Sequence, residues 1–259
     1  MSDDTTPVRT ERSGPVLVIT LDRPQARNAV NGAMAAGLES AVDLLETDAD
    51  LRVGVLAATG PVFCAGADLA VVAAGRFDEL LTERNGFAGF VRRDRTKPVV
   101  AALDGDALAG GMEIAITCDV IVAAEGVRLG IPETARSLLA VGGALANLPR
   151  LIGEKAALEM AITAAPWSAE HLAQLGLISQ IVARSTARDE ALSLATEICR
   201  NAPLAVQAAR RAIVNTRDLV ESDRWKFAQH ELDTLHVTED YQEGLNAFLE
   251  KRTPHWTGT

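Results

Sequence analysis

Aromatic residues are scarce: one tyrosine, three tryptophans and six phenylalanines, 4% of 259 residues. A core in this chain must be filled by aliphatic side chains and alanine, closely packed. Cysteine is sparse too. Cys64, Cys118 and Cys199 are odd in number, far apart and without CxxC spacing. That pattern argues against a disulfide framework or a zinc site and for a reducing compartment. Basic residues number 25 against 35 acidic ones, a formal net charge of -10. A nucleic-acid partner, whose phosphates demand a basic surface, is disfavoured. A long apolar run is missing as well. The most apolar region, Val99 to Ala124, is interrupted by Asp104, Asp106, Glu113 and Asp119, so no membrane span is expected. The opening MSDDTTPVRT has no apolar stretch of the secretory kind, which makes the cytoplasm the expected location.

What is present is ordinary globular composition, 48% hydrophobic and 23% charged, in a chain long enough for one large α/β domain or a domain with a helical appendage. Val16 to Leu21, Arg52 to Ala57, Val99 to Leu103 and Asp119 to Ala123 read as buried strands. Asn31 is placed to cap a helix carrying Met34, Leu38, Ala41, Val42 and Leu45 at helical spacing. Gly110 to Thr117 reads as a short helix after a glycine turn. Strands alternating with helices give an α/β class. From Glu154 the pattern turns mostly helical, with an extended segment at Leu177 to Val182 and helices at Pro203, at Trp225 to Leu235 and at Tyr241 to Leu249.

Two carboxylates stand beside apolar, glycine-containing segments, Glu113 after Ala107 to Met112 and Glu133 after Leu129 to Pro132. Two such groups at one site form an acid/base pair when burial pushes their pKa values apart. The small-residue loop Phe63 to Leu69 lets a ligand approach the backbone, or is a tight turn with Asp68 as helix cap. Gly110-Gly111-Met112-Glu113 opens a helix, whose free N–H groups suit an anionic oxygen. With the first loop it makes a two-donor oxyanion hole; its plain alternative is helix packing. No G-x-G-x-x-G dinucleotide fingerprint is present. Arg92, Arg93, Arg95 and Lys97 read equally as a basic patch or a solvated helix end. His171, His230, His236 and His255 show no catalytic or metal-ligand spacing.

In their order, these segments resemble the enoyl-CoA hydratase/isomerase, or crotonase, superfamily. The resemblance runs from Asp22-Arg23-Pro24 with Asn28-Ala29, through Phe63 to Leu69, Gly110 to Glu113, Thr117 to Asp119 and Gly130 to Glu133. It continues through Leu148 to Gly153 and Ala173 to Ile178 and ends at Phe248 to Pro254. It implies an α/β fold, a crotonase-like spiral of ββα units, with a C-terminal helical trimerisation region; the core is placed over 1–195 and the helical region over 196–259. It implies an oxyanion hole from the Ala67 and Gly110 amides and catalysis by Glu113 and Glu133. A CoA path would use Gln25, Ala26, Arg27, Ala65, Asp68, Leu69 and Ala70, with Phe248 and Lys251 near the adenine or a CoA phosphate, often from a neighbouring subunit.

The expected reaction is hydration of the 2,3-double bond of an enoyl-CoA to a 3-hydroxyacyl-CoA. Isomerisation, dehydration of a specialised hydroxyacyl-CoA, or non-catalytic acyl-CoA binding are the alternatives. No metal and no cofactor beyond the CoA of the substrate is implied, nor any nucleic-acid or membrane partner. A homotrimer or dimer of trimers is. Two departures stand out. Ala70 occupies a place where many hydratases carry lysine, leaving Arg27 or Arg76 to meet a phosphate. The segment Val141 to Arg150 replaces a typical glycine-rich run ending in T-Q-R-L, which is expected to alter packing behind Glu133. Arg136 follows Glu133 by about one helical turn; the favoured reading is an exposed side chain that does not reach it. Phe77, Leu80, Leu81, Phe87 and Phe90 are candidates for the acyl pocket wall.

Overall fold

A computed structural model describes residues 6–259. The chain opens with β1 (Val8–Ser13) and β2 (Val16–Leu21), then α1 (Gly32–Thr47), β3 (Val53–Ala58), β4 (Val62–Cys64) and α2 (Leu69–Ala73). A small hairpin, β5 (Leu81–Thr82) and β6 (Gly86–Phe87), precedes β7 (Val99–Leu103), β8 (Asp106–Leu108) and α3 (Gly110–Thr117). Next come β9 (Val120–Ala124), β10 (Arg128–Gly130), a 3-10 turn at Pro132–Arg136, α4 (Ala144–Ile152) and α5 (Glu154–Thr163). The rest is β11 (Trp167–Ser168), α6 (Ala169–Gln174), β12 (Gln180–Val182) and four helices, α7 (Ala187–Ile198), α8 (Pro203–Val214), α9 (Glu221–Leu235) and α10 (Glu239–Glu250).

A six-stranded sheet runs β1-β2-β3-β7-β9-β12, antiparallel only at the β1–β2 edge. Its inner strands are near-continuous aliphatic runs because helices and a second sheet cover both faces. The second sheet, β11-β10-β8-β4, is made of very short strands. A repeat follows from this pairing. Each of β3, β7 and β9 lies in the large sheet and hands over to β4, β8 or β10 in the small one. Because β4, β8 and β10 are parallel neighbours, with Cys64 opposite Ala107 and Gly130 opposite Leu108, their C-terminal ends emerge side by side. The expected spiral of ββα units is the fold observed.

α1 begins where Asn31 accepts a hydrogen bond from the Met34 amide at 2.9 Å. Its Met34, Leu38, Val42 and Leu45 are fully buried against the sheet. The buried strands and α3 form close to where the sequence pattern places them. The pattern missed β1, whose polar VRTERS is an edge strand, and the three-residue β4, β8 and β10. The expected boundary between 195 and 196 falls inside α7, which packs on β3, β7 and β9; the helices beyond the sheet begin with α8.

The arginine-rich run is neither a basic patch nor a helix end. Arg95 is 2% exposed, its guanidinium donating to Asp119 at 3.1 Å and the Thr117 carbonyl at 2.7 Å, 5.2 Å from the Phe90 ring centre. Lys97 is buried at the end of α1, where its ammonium donates to the Leu45 and Asp48 carbonyls at 2.8 and 2.6 Å. Arg93 pairs with Asp43 at 2.7 Å. Arg92 alone stays exposed. From α8, Arg210 reaches Asp119 at 2.8 Å and the Arg95 carbonyl, so one carboxylate holds two buried guanidiniums and locks α8 to the core.

Candidate active site

The C-terminal ends of β4, β8 and β10 open into a cavity of about 1190 Å³. Ala67 follows β4, Gly110 follows β8 and Glu133 follows β10. The same point of three successive repeats thus delivers one functional group each, and Glu113 rises from the first turn of α3.

Val30 forms a parallel bridge with Ala67, giving its amide to Gly66 and its carbonyl to Asp68. That arrangement leaves the Ala67 N–H unused. Gly110, first residue of α3, likewise has no helical acceptor, and among the described residues neither amide donates to a protein group. The two loops touch: a Cβ on Gly66, at φ 90°, would lie 2.7 Å from the Ala109 Cβ and 2.8 Å from the Gly110 nitrogen. Ala109 is itself left-handed, at φ 54°. Such a conformation costs about 1–3 kcal/mol and turns the chain so that α3 starts at the cavity. Phe87 fills the other side, since a Cβ on Gly110 would meet its ring at 2.5 Å.

Glu113 is 4% exposed. Its Oε1 accepts the Ala144 amide at 3.0 Å, and its Oε2 lies where a side chain on Gly142 would be, 2.5 Å from an added Cβ. Burial pushes its pKa up to about 7, and the nearby Glu133 adds to the rise, while the Ala144 and Gly142 amides oppose it. Glu133 sits on the 3-10 turn with Oε2 buried and, among the described residues, without a hydrogen-bond partner. Burial raises its pKa also, and Arg136 pulls it down. Arg136 is exposed and forms no ion pair with Glu133 among the described residues, as expected. Both carboxyls line the cavity. The departing segment Val141 to Arg150 packs against Glu113: its glycine and the first amide of α4 hold that carboxylate.

Ala26, Arg27, Ala65, Ala67, Asp68 and Leu69 also line the cavity. Asp68 caps α2, accepting the Ala70 amide at 3.0 Å, and pairs with Arg23 at 2.8 Å. Asn28 fixes the facing loop: fully buried, it donates to the Thr59 and Val62 carbonyls at 2.9 and 2.8 Å and accepts the Arg23 amide at 2.8 Å. Gln25 and Ala70 do not line the cavity. Neither do Phe248, 82% exposed on α10, and Lys251, the left-handed residue that ends that helix. Of the acyl-wall candidates, Phe77, Leu81 and Phe87 line it, whereas Leu80 and Phe90 are core. Arg76 is engaged by Glu79 at 3.2 Å. Cys64 is fully buried, its thiol pushed up to about 12, a packing residue beside the loop.

The model of a family described as enoyl-CoA hydratase/isomerase matches residues 11–259. The chain belongs to that family. Its match to the 2,3-dehydroadipyl-CoA hydratase of Escherichia coli is 34% identical over 247 residues, covering 95% of this chain and 97% of that one. The mevalonyl-coenzyme A hydratase of Aspergillus fumigatus is 34% identical, covering 93% and 91%. A crystal structure of an enoyl-CoA hydratase from Mycobacterium tuberculosis superposes with a TM-score of 0.95 at 42% identity, covering 98% of this chain and 100% of the other. In this family member, sequence reasoning missed the amides of Gly142 and Ala144, which sit in the second of the two departures from the family pattern. It also missed Arg92 as a wall of the cavity, because its neighbours made it look like one charge in a run.

Among the described residues no helix is long and apolar enough to cross a membrane.

Proposed function

We propose that this enzyme hydrates an enoyl-CoA thioester at the Glu113–Glu133 pair. One observation supports this above the others: the buried Glu113 carboxyl, the half-buried Glu133 carboxyl and two unengaged backbone donors face a single cavity. The thioester oxygen would accept from Ala67 and Gly110, which stabilise the enolate-like charge as it develops. One carboxylate takes a proton from water, whose oxygen bonds to C3; the other route delivers a proton to C2. The product is a 3-hydroxyacyl-CoA, with the elements of water added across the bond. The two carboxyls interact, so protons are shared by the pair and not owned singly. Arg27, Ala26, Ala65, Asp68 and Leu69 would border the CoA, joined at its adenine end by Phe248 and Lys251 of a neighbouring subunit in a homotrimer. The site is in the cytoplasm on this reading and uses no cofactor besides the CoA of its substrate.

The test is turnover of crotonyl-CoA and of medium-chain and branched enoyl-CoAs, followed by loss of the conjugated thioester absorbance, with product analysis in oxygen-18 water. Label in a 3-hydroxyacyl product is expected. Unlabelled, double-bond-shifted product would make it an isomerase, and no turnover of any of these would remove the reading.

A further inference from the structure

Three arginines line the cavity without an ion-pair partner among the described residues: Arg27, Arg92 and Arg136. Arg27 lies among the CoA candidates, its carbonyl accepting the Ala65 amide at 3.0 Å. The other two lie elsewhere. The stem of Arg92 lies over Gly86, whose added Cβ would meet its Cγ and Cδ at 3.1 Å. Gly86 adjoins Phe87, and the Phe87 ring presses on Gly110. Arg92 is therefore on the wall that carries the oxyanion donor. Arg136 ends the 3-10 turn that carries Glu133, and its charge acts on that carboxyl. Arg92 and Arg136 thus stand on two different walls of the one cavity. Apolar groups share those walls, Phe87 and Val91 on one and Leu139 and Val141 on the other. At about 1190 Å³ the cavity exceeds what most single small ligands fill.

We infer that the acyl substrate carries a carboxylate at the end remote from the thioester, and that Arg92 and Arg136 bind it. This rests on the enoyl-CoA reading above. An apolar passage suits the intervening methylenes. A guanidinium fork matches a carboxylate in shape and charge and needs no proton adjustment at neutral pH. Asp78 and Glu83 also line the cavity, exposed and, among the described residues, without cationic partners. They define the competing case, an acyl group with a cationic end. Asp78 lies in the turn packed on α2, beside the CoA candidates; Glu83, in the turn joining β5 to β6, belongs to the same hairpin as Gly86 and so to the Arg92 wall, and neither shares the turn that carries Glu133 and Arg136.

The experiment compares kcat/KM for 2-hexenoyl-CoA, its terminally carboxylated counterpart 2-hexenedioyl-CoA and a trimethylammonium-terminated analogue. All three carry the same CoA, so phosphate contacts cancel in the ratio. The wild-type enzyme is expected to favour the carboxylated substrate by roughly ten- to hundred-fold, the scale of a charge-assisted hydrogen bond. Arg92→Met with Arg136→Met should bring the ratio near one, and the corresponding lysine variants should restore part of it. A change in Glu133 caused by losing Arg136 affects every substrate alike and leaves the ratio untouched. Equal use of neutral and carboxylated substrates, a preference for the cationic one, or a ratio unmoved by the variants would each overturn the inference while leaving hydration standing. Failure to turn over any enoyl-CoA would instead remove the reading beneath it.

Discussion

Glu113 is the residue at which burial and chemistry meet. Unfolded, such a carboxyl loses its proton near 4.5; folded, it holds one to about 7. Between those values the native state binds a proton that the unfolded chain has released. Stability therefore falls as pH rises through that window and the penalty persists above it. At 1.36 kcal/mol per pH unit the ionised form costs about 3 kcal/mol. Glu113→Gln is expected to raise unfolding free energy by about that much at pH 8 and to change it little near pH 4, as read by urea titration at both values. Gly142 is the companion residue. A methyl there would overlap the Glu113 Oε2, held at 2.5 Å from the added carbon. Gly142→Ala should lower kcat by roughly ten-fold or more, with a much smaller change in thermal midpoint, measured on the same preparation. The two glutamates were legible in the sequence because a charged residue inside an apolar run is conspicuous. The amides that hold Glu113 were not, because a backbone N–H has no letter of its own.

At the scale of elements, the short strands do what the long ones cannot. β4, β8 and β10 are too short for any alternation to show in sequence, yet their parallel register sets the loops of Ala67, Gly110 and Glu133 side by side. The long aliphatic strands and α1 were readable from apolar spacing and the Asn31 cap. The Arg92 to Lys97 run misled because local charge density does not reveal partners. Asp119, Thr117 and the end of α1 lie far along the chain from it and absorb its charges. The joint between core and α8 depends on Asp119. Asp119→Ala would leave Arg95 and Arg210 buried without their carboxylate, and the loss of one partner of a buried pair costs roughly 3–5 kcal/mol. Denaturant unfolding checks this; a change within about 1 kcal/mol would mean that the pair contributes no more than a surface one.

For the whole molecule, the exposed apolar groups concentrate on the last helices. Ile213 is 71% exposed, Trp225 72%, Phe248 82% and Leu249 76%. Exposed apolar groups of that kind are what association would cover. The homotrimer proposed above would cover it, and a sedimentation or light-scattering mass of three chains, or of six for a dimer of trimers, is the expected result. A monomer at micromolar concentration would contradict it. The same proposal brings Phe248 and Lys251 to a CoA site that they do not line within their own chain. Family membership and fold were legible in the ordered motifs along the chain; which acyl group enters the cavity depends on side chains brought together from separate segments.

The most direct measurement is kcat for hydration of crotonyl-CoA by the wild-type protein, Glu113→Gln and Glu133→Gln side by side. Robust wild-type turnover with a loss of roughly 10²-fold or more in each variant is predicted for two groups engaged in proton transfer. Turnover that survives nearly unchanged in either variant would contradict the assignment of that pair.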